Sequence, residues 1–473
     1  MRLTDALRLA PGQTVAFTGA GGKTAALRRL VQELAPDTPL LLTTTTRLGM
    51  EQDSLAAQHL VLIGDRPLPD LTAALVRHRS VLVTGELLEA EGKWTAPPGA
   101  LLAALRKAAL EAGAVLLIEA DGARGRSLKA PAQHEPVVPD FTDLVVPVAG
   151  LDAVGQPIDS AAVHRPERVS DLLGLPMQER LLPEHLARVL ASAQGGLKNV
   201  PRQAAVRVLL NKCDVEERLA DGRKVAGLML AAGGSASATS QAAGASAPEP
   251  SSGDAPDRSV HPIQAVILAS LEADPPVREV HGRVAGIVLA AGESSRLGVP
   301  KQLFPWRGRP LVWHAAQAAR QAGLSPVVVV IGAWGDQVRM ALEGEPVTLV
   351  ENPVWQAGQS TSLRLGLAEV ETQAEAAAFL LSDTPLVTGE LIQQLLHTHQ
   401  QTLAPLVAPR AGGRRANPVL FDRRTFADLR ELEGDQGGRA LFERYDPAWV
   451  DWDESVLLDL DTTEDLQRLR ELE

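Results

Sequence analysis

Residues 286 to 302 read Gly-Ile-Val-Leu-Ala-Ala-Gly-Glu-Ser-Ser-Arg-Leu-Gly-Val-Pro-Lys-Gln. An apolar run that stops at a glycine loop admits few architectures. Ile287 to Ala290 show no polar/apolar alternation, the pattern of a parallel strand covered on both faces. The strand ends in Leu289-Ala290-Ala291-Gly292, where Ala290, Ala291 and Gly292 carry no bulky side chain and let a base and phosphates come near the chain. Arg296 and Lys301 follow, and fixed cations beside a triphosphate lower the barrier to nucleotidyl or phosphoryl transfer. The plainer alternative is a strand-to-helix turn with two solvated cations.

Later segments add to this picture. Leu380-Leu381-Ser382-Asp383-Thr384-Pro385 predicts a strand ending in an exposed carboxylate. That is the placement of a Mg²⁺ ligand, because Mg²⁺ takes few carboxylates plus phosphate oxygens. On spacing alone Asp383 reads equally well as an ordinary helix N-terminal Asp. Asp459-Leu460-Asp461-Thr462-Thr463-Glu464-Asp465 combines alternating acids with a good helix start.

With Asn352-Pro353-Val354-Trp355, Arg415-Ala416-Asn417-Pro418 and Gly434-Asp435-Gln436-Gly437, these segments resemble the MocA and MobA-like nucleotidyltransferases of the molybdenum-cofactor group. The resemblance covers residues 283 to 473. It implies that Asn352, Gly358, Ser360 and Ser362 close over nucleotide and substrate. Asn417, Asp435 and Gly437 would lie on substrate-side loops. Asp383 and Asp461 would hold Mg²⁺, with Arg296, Lys301 and Asp383 as the catalytic groups. In the reaction so implied, a terminal phosphate of the molybdopterin cofactor attacks the α-phosphorus and expels pyrophosphate. The Ala-Ala-Gly form of the first loop implies CTP, and the methyl of Ala291 takes up room a purine would need. One methyl discriminates by only about 1 to 3 kcal/mol. GTP, a sugar or alcohol phosphate acceptor, and a cofactor-carrying chaperone that transfers nothing therefore stay open.

The first half carries a different phosphate signal. Val15-Ala16-Phe17 predicts a short strand, then Thr18-Gly19-Ala20-Gly21-Gly22-Lys23-Thr24 and an amphipathic helix to about Leu34. Gly22-Lys23-Thr24 has the ending of a P-loop, whose amides wrap phosphates while the Lys reaches the outer ones and the Thr binds Mg²⁺. The beginning departs, since Phe17 stands where the full pattern has Gly; Gly19 and Gly21 would supply a shortened turn. Val115 to Glu119 predicts a strand ending in acids, with Asp121 placed to approach Mg²⁺ through water. Ala205 to Leu210 predicts another strand, running into Asn211-Lys212-Cys213-Asp214, which has the form of a guanine-recognition motif or of a plain strand-end turn. A further strand is predicted over Ala265 to Ala269. Thr43-Thr44-Thr45-Thr46-Arg47 would face phosphate or metal, or else be β-favouring threonines at an edge. Asp121 to Lys129 is basic and could receive an anion or form a solvated loop.

These motifs together resemble the YqeC family, accessory proteins associated with selenium-dependent molybdenum hydroxylases, over residues 1 to 275. The resemblance implies nucleotide binding and a molybdenum hydroxylase apoprotein as partner, and supplies no chemical activity.

Length and composition agree with two domains: 473 residues exceed one ordinary core, and 45% hydrophobic content fills two. The net charge of −12, with no basic stripe, argues against sequence-independent nucleic-acid binding and leaves room for a local basic pocket. A single Cys excludes an internal disulfide and any Cys-rich metal centre. Neither a secretory signal nor an apolar run of membrane-spanning length is present, so a cytoplasmic chain without membrane contact is expected. Residues 233 to 258 are Gly, Ser, Ala and Pro rich and predict a disordered insertion. Val266-Ile267-Leu268 still reads as core, which puts the first domain at 1–275, a connector at 276–282 and the second domain at 283–473. Strand and helix patterns alternate in both, predicting parallel α/β sheets with sites at strand carboxyl ends. The expected fold class is thus a P-loop-like parallel sheet followed by a Rossmann-like nucleotidyltransferase domain of the nucleotide-diphospho-sugar transferase type. His397 and His399 are expected on different faces of one helix, and Glu464, Asp465, Glu471 and Glu473 on a wet terminal helix.

Overall fold

The computed structural model describes residues 1–63, 69–232, 263–293 and 300–472. The expected insertion at 233–258 and Arg296 lie outside them. The chain divides into two compact units, Met1–His281 and Gly282–Glu473.

In the first unit nine strands form one sheet. In chain order they are β1 (Thr14–Gly19), β2 (Leu40–Thr44), β3 (Gln58–Val61), β4 (Ser80–Thr84), β5 (Val115–Glu119), β6 (Leu144–Gly150), β7 (Ala205–Asn211), β8 (Ile263–Ala269) and β9 (Val277–Gly282). Their spatial order is β9-β8-β7-β6-β1-β5-β2-β4-β3. From β8 across to β3 every adjacent pair is parallel. The apolar runs dictate this: β2, β4, β5 and β6 are buried along their whole length, and each such side chain contributes about 1.5 to 3 kcal/mol on leaving water. Parallel strands put all their carboxyl ends on one edge, so the loops after β1, β2, β5 and β7 gather there.

The expected connector is instead β9. Val277 and Val280 are buried beside β8, and Glu279 is almost wholly enclosed. Burial works against the Glu279 charge, but hydrogen bonds from His281 and Arg223 outweigh it and hold the carboxyl down at about 2. An isolated charge there would read as exposed loop; its partners make the strand.

The second unit is built on β10 (Val284–Ala290), β11 (Val327–Ile331), β12 (Thr348–Glu351), β13 (Ala376–Leu381), β14 (Leu406–Ala411), β15 (Arg414–Arg415), β16 (Val419–Asp422) and β17 (Pro447–Asp451). The order is β12-β11-β10-β13-β16-β14-β15, with β17 paired to β14. The four strands from β12 to β13 are parallel, whereas β16 runs antiparallel to β13 and β14. The sheet is therefore mixed, not parallel throughout. Gly412 and Gly413 explain the reversal: φ values of 55° and 75° form a two-residue hairpin turn between β14 and β15 that side chains resist. Alternate residues of β10 bury on opposite faces. Val288 and Ala290 meet helices Leu311–Gln321 and Gly389–Thr402; Ala285 and Ile287 meet helix Gln359–Val370.

His397 and His399 do part company on helix Gly389–Thr402: His399 is buried against Asp422 at 2.8 Å, while His397 contacts the exposed Gln401. Among the described residues no helix is long and apolar enough to cross a membrane.

Candidate functional site

At the carboxyl end of β10 the second unit opens a cleft of about 560 Å³. Leu289, Ala291 and Gly292 form one wall, Lys301 and Asp383 another, and Gly358, Ser362 and Asp435 a third. Gln302 fixes the first wall to the second, donating to the Gly292 carbonyl at 3.1 Å. Asp383 stands two residues beyond β13, and its carbonyl accepts from the Leu460 amide at 3.2 Å, which brings the 459–461 segment alongside. Lys301 Nζ then donates to Asp461 and lies 3.7 Å from Asp383 Oδ2.

Three acids share this space with one described ammonium. Burial, opposed by Lys301 and assisted by the charge of Asp461, raises Asp383 above the usual carboxylate range. Burial and then the charges of Asp383 and Asp461 push Asp459 up to about 7. For Lys301 burial acts to lower the pKa, and the Asp461 hydrogen bond with the neighbouring charges outweighs it, leaving it raised. Among the described residues negative charge is thus in excess, which suits a divalent cation. Among the described residues no group of three or more His, Cys, Asp or Glu forms a ready-made cage. Few carboxylates with room for phosphate oxygens is a Mg²⁺ pattern.

The sequence reading needs amendment at several positions. Asp383 is not exposed: its side chain keeps 25% of its accessible surface. Asp459, not Asp461, stands with Asp383 on the cleft wall. Ala290 is in the core and Ser360 is completely buried. Asn352 is interior too, donating to Thr361 and Ser362 hydroxyls at 2.8 and 2.9 Å and accepting from the Val354 amide. It shapes the turn that carries Gly358 and Ser362. Asn417 and Gly437 are not on the wall, whereas Trp355, at the end of the 352–355 segment, and Gln359, passed over in the sequence, are.

The first unit holds a larger cavity, about 1120 Å³, where the loops after β1, β2, β5 and β7 meet. Gly21, Gly22, Lys23 and Thr24 line it, at the start of helix Lys23–Leu34. Gly21 has φ 82°, and a Cβ there would fall 2.2 Å from the Gly150 amide nitrogen, so no other residue fits. Lys23 Nζ donates to the Gly19 carbonyl at 2.5 Å and pairs with Asp121 at 3.1 Å. Asp121 also meets Lys129 at 3.0 Å and accepts from the Gly19 amide at 3.0 Å. It is a clamp on the loop and does not line the cavity. Of the two acids at the end of β5, Glu119, its last residue, is the one that does, and its carboxyl is raised chiefly by burial. Gln52 donates to the Thr24 hydroxyl.

The 211–214 tetrapeptide divides. Asn211 donates to the Gly21 carbonyl at 2.9 Å and accepts from the Leu271 amide, tying the glycine loop to β7. Lys212 lines the cavity and binds Asp152 at 2.7 Å. Asp214 lies outside the wall and pairs with Arg218 at 3.3 Å. Farther round, Glu135 takes Lys129 at 2.9 Å and a bidentate pair from Arg165. Against the cost of burial these hold its carboxyl down at about 2. His164 is lowered to about 4, first by burial and then by Arg165 and Lys129, against the opposing charge of Glu135.

Two α/β units, each with a polar cavity at strand carboxyl ends, define the class. Residues 286–448 match the MobA-like NTP transferase domain and residues 15–167 the YqeC protein family. The chain is 35% identical over 202 residues to nicotine blue oxidoreductase of Paenarthrobacter nicotinovorans, spanning 39% of this chain and 96% of that protein. It is 32% identical over 197 residues to the uncharacterized protein YqeC of Escherichia coli K12, spanning 40% of this chain and 71% of that protein. A solved structure, Rv0371c of Mycobacterium tuberculosis, shares 31% identity over 40% of this chain and 98% of its own, with a TM-score of 0.37. The chain belongs to the YqeC family through its N-terminal part and to the MobA-like NTP transferase family through its C-terminal part, a fusion of the two.

Proposed function

We propose that the C-terminal unit transfers a nucleotidyl group from a nucleoside triphosphate to a phosphate acceptor, releasing pyrophosphate, with CTP as donor and molybdopterin cofactor as acceptor. The convergence of Asp383, Asp459 and Lys301 beside Ala291 and Gly292 is the observation that carries this reading. Two anions must meet in such a reaction, and the chain supplies the means to hold them. Lys301 offers charge to the triphosphate, while the small residues of the first loop let the nucleotide lie against the backbone. A divalent cation held by Asp383 with Asp459 or Asp461 would offset charge on the phosphate oxygens and favour in-line displacement. No side chain need become covalently attached to the nucleotide.

In the same reading the N-terminal unit binds a nucleotide on Gly21 to Thr24 and serves a molybdenum hydroxylase as an accessory. Guanine choice through residues 211–214 finds little support in the placement of Asp214, and a thermal shift with GTP against ATP decides it.

The test for the C-terminal unit is pyrophosphate release from each of the four nucleotides with purified molybdopterin cofactor and Mg²⁺. Release with CTP that is lost in Asp383→Asn supports the proposal; tight binding without release would make the protein a carrier. A redox reading is favoured by the name of one relative, and oxidation of a nicotinamide cofactor without pyrophosphate release would establish it. Three crowded acids suit a cation and phosphates better than a hydride donor.

A further inference from the structure

We propose that the N-terminal unit is itself a nucleoside triphosphate hydrolase in which Glu119 is the general base. The proposal rests on the reading that a nucleotide occupies Gly21 to Thr24.

Glu119 ends the strand that lies between β1 and β2, in register with Phe17 of one and Thr44 of the other. It therefore stands between the glycine loop that follows β1 and the Thr45 to Arg47 loop that follows β2. Its backbone is fixed there: its carbonyl accepts from the Thr44 hydroxyl at 2.9 Å and from the Thr45 amide at 3.1 Å. The residue keeps only 7% of its accessible surface and lines the cavity. Its buried Oε2 meets no hydrogen-bond partner among the described residues. An unsatisfied buried carboxylate oxygen costs a folded protein about 1 to 3 kcal/mol or more, so it calls for an explanation. The neighbouring Asp121 also has an oxygen, Oδ1, without a hydrogen bond among the described residues, but that oxygen lies 3.1 Å from the Lys23 ammonium, while Oδ2 takes Lys129 and the Gly19 amide. Glu119 has none of these.

The charge of the cavity identifies the ligand. Seven cationic side chains line it against four carboxylates, in a chain whose net charge is −12. That local excess suits a triphosphate. A volume of about 1120 Å³ accepts a whole nucleotide and water beside it. The step balances simply. Glu119 takes a proton from water as the water oxygen bonds to the γ-phosphorus; the bridging bond to the β-phosphate breaks, and its electron pair leaves with the nucleoside diphosphate. Products are nucleoside diphosphate and inorganic phosphate, where the C-terminal unit would give pyrophosphate.

The experiment uses the full chain carrying Asp383→Asn, so that pyrophosphate chemistry is silenced. Inorganic phosphate is followed with Mg²⁺ and ATP or GTP, and nucleotide affinity is measured in parallel with a fluorescent analogue. Glu119→Gln removes a buried charge with an unpaired oxygen and is expected to fold. It should cut phosphate release by about 10² to 10⁴-fold, the usual worth of a general base, with affinity little changed. Glu119→Asp keeps the carboxylate but withdraws it and should fall between the two, which also covers the case in which the Gln variant does not fold. Phosphate release undiminished in either variant overturns the proposal, as does tight nucleotide binding without any release. Absence of nucleotide binding in the parent chain would instead remove the underlying reading, and this one with it.

Discussion

Lys301 touches one acid, faces another and lies in the field of a third, so its charge is worth more in the cleft than on the surface. Replacing it with Ala should lower pyrophosphate release by about 10² to 10³-fold, the scale seen when one preorganised donor to developing charge is removed. Steady-state release at saturating nucleotide checks this, and a loss of less than tenfold would count against it. Asp459→Asn is expected to be as damaging as Asp383→Asn and more so than Asp461→Asn, because only the first two acids face the cleft. Residue-scale detail of this kind was partly legible. The Asp-Leu-Asp spelling at 459–461 marks an acidic segment, but which acid turns inward depends on the Leu460 amide finding the Asp383 carbonyl. The same holds for Glu119 and Asp121, two positions apart past a strand end. Sequence places Asp121 near a cation, and only the fold shows that Asp121 is held between Lys23 and Lys129 while Glu119 lines the cavity.

Elements were easier to read than their contacts. Unbroken apolar runs mark β1, β2, β5, β7, β8, β10 and β13, because strands buried on both faces need no polar alternation. Strand β9 escaped, since its buried acid takes partners from Arg223 and His281 that no local pattern announces. The antiparallel β16 escaped as well; its direction follows from a glycine pair at 412–413 that reads as a generic loop. At this scale the glycine loop after β1 makes a sharp prediction. Gly21→Ala forces a Cβ onto the Gly150 backbone at a φ of 82°. A strained backbone costs on the order of 1 to 3 kcal/mol before any clash. Urea unfolding of the first unit should show at least that loss, together with loss of nucleotide binding; an unchanged midpoint would mean that the loop yields freely.

Across the molecule, buried acids set the response to pH. Glu135 and Glu279 are held at about 2, below the ordinary 4.5. Groups lowered on folding contribute stability that is fully present above the unfolded value and is lost as pH falls through the folded one. The first unit should therefore weaken between about pH 4.5 and 2, by a few kcal/mol in all. Urea midpoints at pH 6 and pH 3 measure it, and equal midpoints would contradict it. The division into two units follows from length and from the Asp274-Pro275-Pro276 break in the sequence, but nothing local locates the end of the first unit at His281.

The pairing of Lys23 with Asp121 has a consequence for selectivity. An incoming phosphate must outbid a resident carboxylate for the same ammonium. A monophosphate brings little more charge than the acid it would displace, whereas a triphosphate brings several and spreads them over the loop amides as well. In the proposed reading of the glycine turn as a phosphate site, this pairing sets a threshold that rejects lightly charged competitors by occupancy instead of by shape.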